Sequence, residues 1–273
     1  MTQPKTNFLK VKEFNEVFGH PAPSEEQLSI FEESPNIVNL RNSLINEEIT
    51  ELNEAVTNED VIEIIDALSD TQYVAYGLLV VYGVDGDKAY TKYMDEKYEI
   101  LECVRNDEVR NMTNFNQTCQ FISSILNGDT FIGSPNDFLD RYTQPSFRCS
   151  FNNYLEDLLK GYQELEKATN NSHFNDTIAA TMNIIYITYV LGSLIGVDID
   201  ESVKLVHESN MSKICVSAEE AELTVQWYRE NESRYDSPAY RESNAGFIVY
   251  NESTGKILKN IHYKAVDLSV FMS

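Results

Sequence analysis

Glu48 and Glu51 in one stretch, and Glu63, Asp66 and Asp70 in the next, stand where a buried helix seam normally carries leucine or isoleucine. Leu44, Glu48, Glu51 and Ala55 recur at intervals of 4, 3 and 4 residues, and Glu63, Asp66, Asp70, Tyr73 and Gly77 at 3, 4, 3 and 4. Carboxylates crowded on such a face raise one another's pKa values through burial and mutual repulsion. A hard divalent cation relieves both. Oxygen donors with no histidine among them suit Mg²⁺, with Mn²⁺ as the alternative, rather than Zn²⁺, and Mg²⁺ commonly joins carboxylates to a substrate's phosphates. The pattern predicts a metal site built from Glu48, Glu51, Glu63, Asp66 and Asp70 that handles a phosphate-bearing ligand. The competing reading is a solvated acidic face.

Positioning these acids requires two helices. Apolar spacing predicts one over about 38–57, a break at "TNED", and a longer one over about 60–82 ending near Gly83, with Asn58 or Asp60 as its cap. Helices joined by so short a break run antiparallel, which brings the Glu48/Glu51 face opposite the Glu63/Asp66/Asp70 face. Five carboxylates would then share a small, partly dry space. A further helix is expected over about 86–105, and "NESTG" between "GFIVY" and "KILKNIHY" reads as a β-hairpin turn.

The chain matches itself. "ELNEAVTNEDVIEIIDALSDTQYVAYGLLVVYGVDGD" (51–87) lies without gaps on "ELEKATNNSHFNDTIAATMNIIYITYVLGSLIGVDID" (164–200), an offset of 113 positions, and "TNFLKVKEF" finds a counterpart in "TNFNQTCQF". The tyrosines and the glycine after the apolar helix persist, and a helix over about 199–213 repeats the one at 86–105. The acids do not persist: Glu47 becomes Lys160, Glu48 Gly161, Asp66 Ala179 and Asp70 Asn183. A solubility device has no reason to vanish from one copy. One working metal site and one decayed partner explain the pattern. The expected architecture is all-α, a bundle of two tandem modules forming a pseudo-dimer, with the first module at 1–105, the degenerate second at 106–215, and a helix and β-hairpin extension at 216–273.

Composition narrows the function. Acids outnumber bases 44 to 21, a formal net charge of −23, so a nucleic acid polymer is not an expected partner. Cys103, Cys119, Cys149 and Cys215 are scattered without a CxxC pair, which suits free thiols in a reducing compartment. The start "MTQPKTNFLKVKEF" lacks an apolar signal core, and "YVAYGLLVVYG" and "MNIIYITYVLGSLIG" are shorter than a bilayer span, so a soluble cytoplasmic protein without a membrane partner is expected. No Walker lysine loop, GxGxxG or GxSxG is present, and no Glu-x-x-His pair supports a di-iron bundle. His20, His173, His207 and His262 sit apart and read as ordinary residues. Tyr73 and Tyr76, retained in both copies, read as core packing.

"EExxE" (Glu47, Glu48, Glu51), "ExxD" and "DxxxD" (Glu63, Asp66, Asp70) and "YVxYG" together resemble the all-α nucleoside triphosphate pyrophosphohydrolases, the superfamily of MazG, dimeric dUTPase and phosphoribosyl-ATP pyrophosphohydrolase. "HESNMSK" (207–213) and "TGKILKNIHY" (254–263) resemble the phosphoribosyl-ATP pyrophosphohydrolase-like branch of phages and giant viruses. The resemblance spans about 38–100 and 150–263, with the acids in the first copy and "SNMSK" in the second. The family's second acidic pair is E-x-x-D; with Asp70 as its aspartate, the glutamate position holds Ala67, so Glu63 or Asp66 must substitute. The resemblance implies a Mg²⁺-dependent enzyme that converts a nucleoside triphosphate to a monophosphate and pyrophosphate by cleaving between the α and β phosphates. Glu47 or Glu51 would serve as general base, and Asn210 and Lys213, then Lys256 and Lys259, would contact phosphates. Such enzymes work as dimers, so the fused chain could complete its site internally, and a further homodimer stays open. A catalytically idle nucleotide-binding or interaction module of the same fold is the alternative.

Overall fold

The computed structural model describes residues 4–100 and 134–272. Helix α1 (Asn7–Phe18) is capped by the Thr6 hydroxyl, which accepts from the Leu9 amide at 3.2 Å, and it stops at Gly19 in the left-handed conformation. A short α2 (Ile30–Glu33) leads into α3 (Pro35–Thr57), which starts with proline in its first turn. Helix α4 (Val61–Val81) is capped by Asp60, whose carboxylate accepts from the Glu63 amide at 3.2 Å. Helix α5 (Gly86–Ile100) follows. After a 3₁₀ turn, Pro135–Asp137, come α6 (Phe138–Tyr142), α7 (Pro145–Asn170), α8 (Phe174–Ile195), α9 (Ile199–Met211) and α10 (Ala218–Asn231). The two antiparallel strands are β1 (Pro238–Ser243) and β2 (Gly246–Asn251).

The fold is all-α with a short hairpin near the C-terminus, as expected, and the backbone repeats at the offset seen in the sequence. Helices α3 and α7 end at Thr57 and Asn170, and α4 and α8 begin at Val61 and Phe174. Each pair is joined through one non-glycine residue with positive φ, Glu59 at 56° and Ser172 at 57°, and each long helix ends before a left-handed glycine, Gly83 at 70° or Gly196 at 93°. The two hairpins α3–α4 and α7–α8 pack through α4 and α8. Gln72, on this central seam, reaches the carbonyl of Ile185 on the other hairpin. The third helices are exchanged: α9 lies on α4 and α1, and α5 lies mainly on α8. Each acidic or decayed hairpin is thus covered by a helix of the other half.

Helices α4 and α8, 21 and 22 residues, are long and apolar enough to cross a membrane, which corrects the expectation that both stretches fall short. They are the core of the bundle, and 83% of the apolar window in each is covered by the protein. The expected turn at "NESTG" forms, folding the chain back antiparallel onto β2 with the Leu258 amide donating to the Val249 carbonyl at 2.9 Å, but the two-stranded hairpin turns earlier than expected. Asn244 and Ala245 join the strands, with Ser243 opposite Gly246, while "NESTG" turns the chain into a segment that meets β2 through one bridge, Tyr250 with Ile257. The reason is local: the strand-forming run "PAYRES" precedes "NAG", and Gly246 supplies a φ of 140° beside the Cys215 carbonyl. The boundary expected at 105/106, the end of the 86–105 helix, the "TNFNQTCQF" counterpart, Cys103 and Cys119 lie outside the described residues. Cys149 and Cys215 are free thiols.

The C-terminal extension builds a small core from Cys215, Ala221, Val225, Tyr228, Val249 and Leu258. Its last segment is strapped to the end of α9. The Asn260 amide donates to the carbonyls of Ser212 (2.9 Å) and Ile214 (2.7 Å), and the Tyr263 and Ser209 hydroxyls meet at 2.8 Å.

Two glycines in the same left-handed conformation separate backbone strain from overlap. A Cβ on Gly255 (φ 70°) meets nothing within 4 Å, whereas one on Gly83 (φ 70°) would overlap the Glu25 carbonyl. Gly255→Ala is expected to cost about 1–2 kcal/mol, the left-handed penalty alone. Gly83→Ala is expected to cost clearly more, read as the difference between the two urea midpoints.

Candidate active site

The register of the α3–α4 hairpin decides which side chains meet. A Cβ on Gly77 would come 2.6 Å from an Arg41 terminal nitrogen, and moving seven residues toward the turn on each helix puts Glu48 opposite Asp70. The second half confirms the pairing: a Cβ on Gly161 would come 3.2 Å from the Asn183 amide nitrogen. Glu48, Asp66 and Asp70 are half-buried between the helices, while Glu47, Glu51 and Glu63 are exposed. Five carboxylates therefore do not share one dry space. Glu47 precedes Glu48 and so points about 100° away from it around the helix, and Glu63 sits in the first turn of α4 beside the hairpin bend, so both are rim groups.

Electrostatics follow from that geometry. Burial, reinforced first by Asp70 and then by Glu51, Glu47 and Asp66, pushes the Glu48 carboxyl up to about 8. Burial and Asp66 push Asp70 up to about 7, against the pull of Lys213. Asp66 is raised by burial, Glu63 and Glu51, and its Oδ1 is enclosed without a hydrogen-bond partner. An orphaned carboxylate oxygen beside two acids that resist ionising is a donor set suited to a hard cation. Among the described residues no three acidic, histidine or cysteine side chains converge closely enough to enclose one ion. Mg²⁺, which keeps several waters and takes one or two carboxylates together with substrate phosphates, does not require a complete protein shell.

The exchanged α9 brings positive charge to these acids. Lys213 follows its last turn; burial, Lys259 and Lys256 lower its ammonium to about 8 while Asp70 opposes the shift. Its Nζ donates to the Asn210 side-chain carbonyl at 2.6 Å and lies 6.0 Å from the Phe14 ring centroid. The strap carries Lys256 and Lys259, with Nζ atoms over the rings of Tyr235 and Tyr263. They follow the "NESTG" turn, which the Lys256 carbonyl closes by accepting from the Asn251 amide at 2.9 Å, and their field reaches Lys213. All four residues expected to contact phosphate thus gather at the end of α9 that faces Asp70.

The sequence reading missed the polar chain behind them. His207 is buried: its Nε2 faces the Glu13 carboxylate at 3.3 Å and its Nδ1 the Tyr73 hydroxyl at 3.0 Å. A carboxylate only accepts, so Nε2 carries the proton and Nδ1 accepts from Tyr73. Lys5 binds Glu13 at 2.6 Å, and the Asn210 side chain hydrogen-bonds Tyr73 in turn. His207 is thus not ordinary, and Tyr73 does more than pack. Its place three residues before Asn210 was the one available signal, while Glu13 and Lys5 carried none.

The matching place in the second half is closed. The Tyr93 hydroxyl donates to Asn183 at 2.8 Å, and the Lys97 ammonium lies 5.3 and 5.4 Å from the ring centroids of Tyr93 and Tyr186. A cleft of about 860 Å³ lies nearby, between α5 and the start of α8, with Ala179 in its wall where the first half has Asp66.

The profile of the phosphoribosyl-ATP pyrophosphohydrolase family matches residues 11–97, which holds most of α1, the acids of α3 and α4 and most of α5. An uncharacterized protein of Acanthamoeba polyphaga mimivirus is 30% identical over 267 residues, covering 97% of this chain and 94% of its own length. The chain belongs to the phosphoribosyl-ATP pyrophosphohydrolase family. Membership supports an activity of the pyrophosphohydrolase type, and the viral relative extends the similarity through α9 and the C-terminal strap. No solved structure matches the chain significantly.

In the family member stripped of divalent cations, the acids of α3 and α4 work against folding. Between the ordinary carboxylate pKa near 4 and the raised native values, the folded chain holds protons that the unfolded chain has released, so stability falls as pH rises through that window. Melting temperature is expected to drop between about pH 5 and about pH 8. Asp70→Asn should flatten the drop and raise the melting temperature at the alkaline end, by roughly 2–4 °C for each kcal/mol relieved. An unchanged slope in the variant would contradict this account.

Proposed function

We propose that the chain is a Mg²⁺-dependent nucleoside triphosphate pyrophosphohydrolase, which hydrolyses the bond between the α and β phosphates to release a nucleoside monophosphate and pyrophosphate. The observation that carries the reading is the facing of two unlike clusters, Glu48, Asp66 and Asp70 against Lys213, at the junction of the two halves. Acids alone repel phosphate and lysines alone bind it without activating it; the combination is what a metal-bridged phosphate chain needs.

Glu48, Glu51, Asp66 and Asp70 would hold Mg²⁺, which supplies Lewis-acid polarisation of the phosphoryl oxygens. Lys213, kept in place by Asn210, neutralises phosphate charge that develops as the bond breaks, and Lys256 and Lys259 draw the outer phosphates toward the strap. One exposed rim carboxylate, Glu47 or, where it does not hold the metal, Glu51, would accept a proton from water. The chain Glu13, His207, Tyr73 and Asn210 fixes the end of α9, so Lys213 meets the phosphates without a search for its rotamer. A single chain carries both halves of the site, which makes a nucleotide its main partner; Mn²⁺ in place of Mg²⁺ is compatible with the same donors.

The test is pyrophosphate release from a panel of ribo- and deoxynucleoside triphosphates with Mg²⁺. Release by the wild type, abolished in Asp70→Asn and reduced about 10²–10³-fold in kcat/KM by Lys213→Met, is the expected outcome. Binding of nucleotide without release, by folded protein with metal present, would favour the idle module, for which the exposed position of Glu63 and the alanine at 67 are the motivation.

A further inference from the structure

Along the same hairpin, at the end away from the turn, lies a group that the acids and Lys213 do not use. Arg41 is buried to the point that its guanidinium is brought down to about 10 by desolvation, and no carboxylate offsets this. Its Nε is enclosed without an acceptor, and among the described residues Arg41 makes no ion pair. A half-buried guanidinium whose Nε is enclosed without an acceptor, and which has no counter-ion, is costly, and an anion brought by a ligand would offset that cost.

The surroundings are cationic as well. Burial, Arg41 and then Arg241 push the imidazole of His20 down to about 4, so it is neutral and flanked by two guanidinium groups. Arg241 is anchored from the β-hairpin by donating to the Phe18 carbonyl at 2.7 Å and by packing 4.9 Å from the Tyr250 ring centroid. His20 stacks on Phe14 at 5.8 Å, and Phe14 in turn adjoins Tyr73 and lies under Lys213. The cluster is therefore continuous with the phosphate-binding end of α9. Seven residues, about 10 Å of helix axis, separate Arg41 from Glu48, and the same interval separates Gly77 from Asp70.

The second half supplies the comparison. Where the first half has Arg41 on Gly77, the second has Tyr154 and Val190. Gly77 is the space into which the guanidinium fits, since a Cβ there would reach it at 2.6 Å. Cation and glycine are absent together from the half that has lost the acids.

We infer that Arg41, seated on Gly77 with His20 and Arg241, forms a second anion subsite, about 10 Å along the hairpin from the acids, that takes a phosphate or similar oxyanion carried by the ligand away from the bond to be cut. The guanidinium offers a planar fork to such a group, His20 contributes a neutral ring, and Arg241 closes the rim. The inference rests on the nucleotide reading only for what the rest of the ligand is; the subsite itself is a property of Arg41 and its neighbours.

Its test needs no turnover and no metal. Inorganic phosphate is titrated into the full-length, chelator-treated protein by calorimetry and followed by thermal shift. The wild type is expected to bind it, Asp70→Asn to bind it equally, and Lys213→Met to lose less than about threefold, while Arg41→Gln loses about tenfold or more. Gly77→Ala keeps the charge and displaces the guanidinium, so it should lose binding too, and it stands in if Arg41→Gln does not fold. Phosphate that binds Arg41→Gln and Gly77→Ala as it binds the wild type would overturn the inference. Binding abolished by Lys213→Met would assign the phosphate to the lysine cluster, and no binding by the wild type would remove the subsite. Absence of pyrophosphate release in the activity panel would leave all these outcomes readable.

Discussion

The antiparallel register of α3 against α4 is the constraint on which the rest depends. It sets Glu48 across from Asp70 and Arg41 across from Gly77, and the register is held by Ile45, Ile49 and Leu52, which are fully buried beside those positions on α3. Like charges held face to face are a poor way to stabilise a hairpin. Their persistence therefore points to a ligand that makes the arrangement favourable, and the second half shows the relaxed alternative: a glycine and an asparagine that fit together, plugged by a tyrosine and a lysine.

Charge of the opposite sign reaches this hairpin by topology. Because α9 crosses onto α4 while α5 crosses onto α8, the end of the second half becomes the wall of the first half's site. The C-terminal extension then ties two further lysines to the same place through Asn260 and Tyr263. Acids, lysines and strap thus arrive from three separate stretches of chain, and the polar line from Lys5 to Asn210 locks the α9 contribution against α1 and α4.

Much of this was legible beforehand. Helical spacing located α3 and α4, the aspartate after "TNE" proved to be the cap, and the loss of acids at one offset marked the hairpin whose acids are half-buried in the structure. Individual burial was not legible. Spacing puts Glu63 on the same stripe as Asp66, yet Glu63 lies in the first turn, where the hairpin bend lets water in. The turn at "SNAG" was missed because "NESTG" carries stronger turn residues; both turns form, so that β2 pairs with β1 on one side and meets the "KIL" segment through one bridge on the other. His207 and Arg41 escaped because each is defined by partners far away in sequence: Glu13 for one, an open glycine on another helix for the other.

The exchange of third helices also bears on how the chain acquires its site in time. Contacts such as Ser69 with Ser202 and Tyr73 with His207 join residues 133 and 134 positions apart. The acidic hairpin is local and can form early, but its roof is made of chain that emerges much later, so closing the site is a late, high-contact-order event. A nascent or truncated first half would expose the apolar flank of α4 with its acids uncompensated. Packing of α9 on α4 and α1 covers that flank.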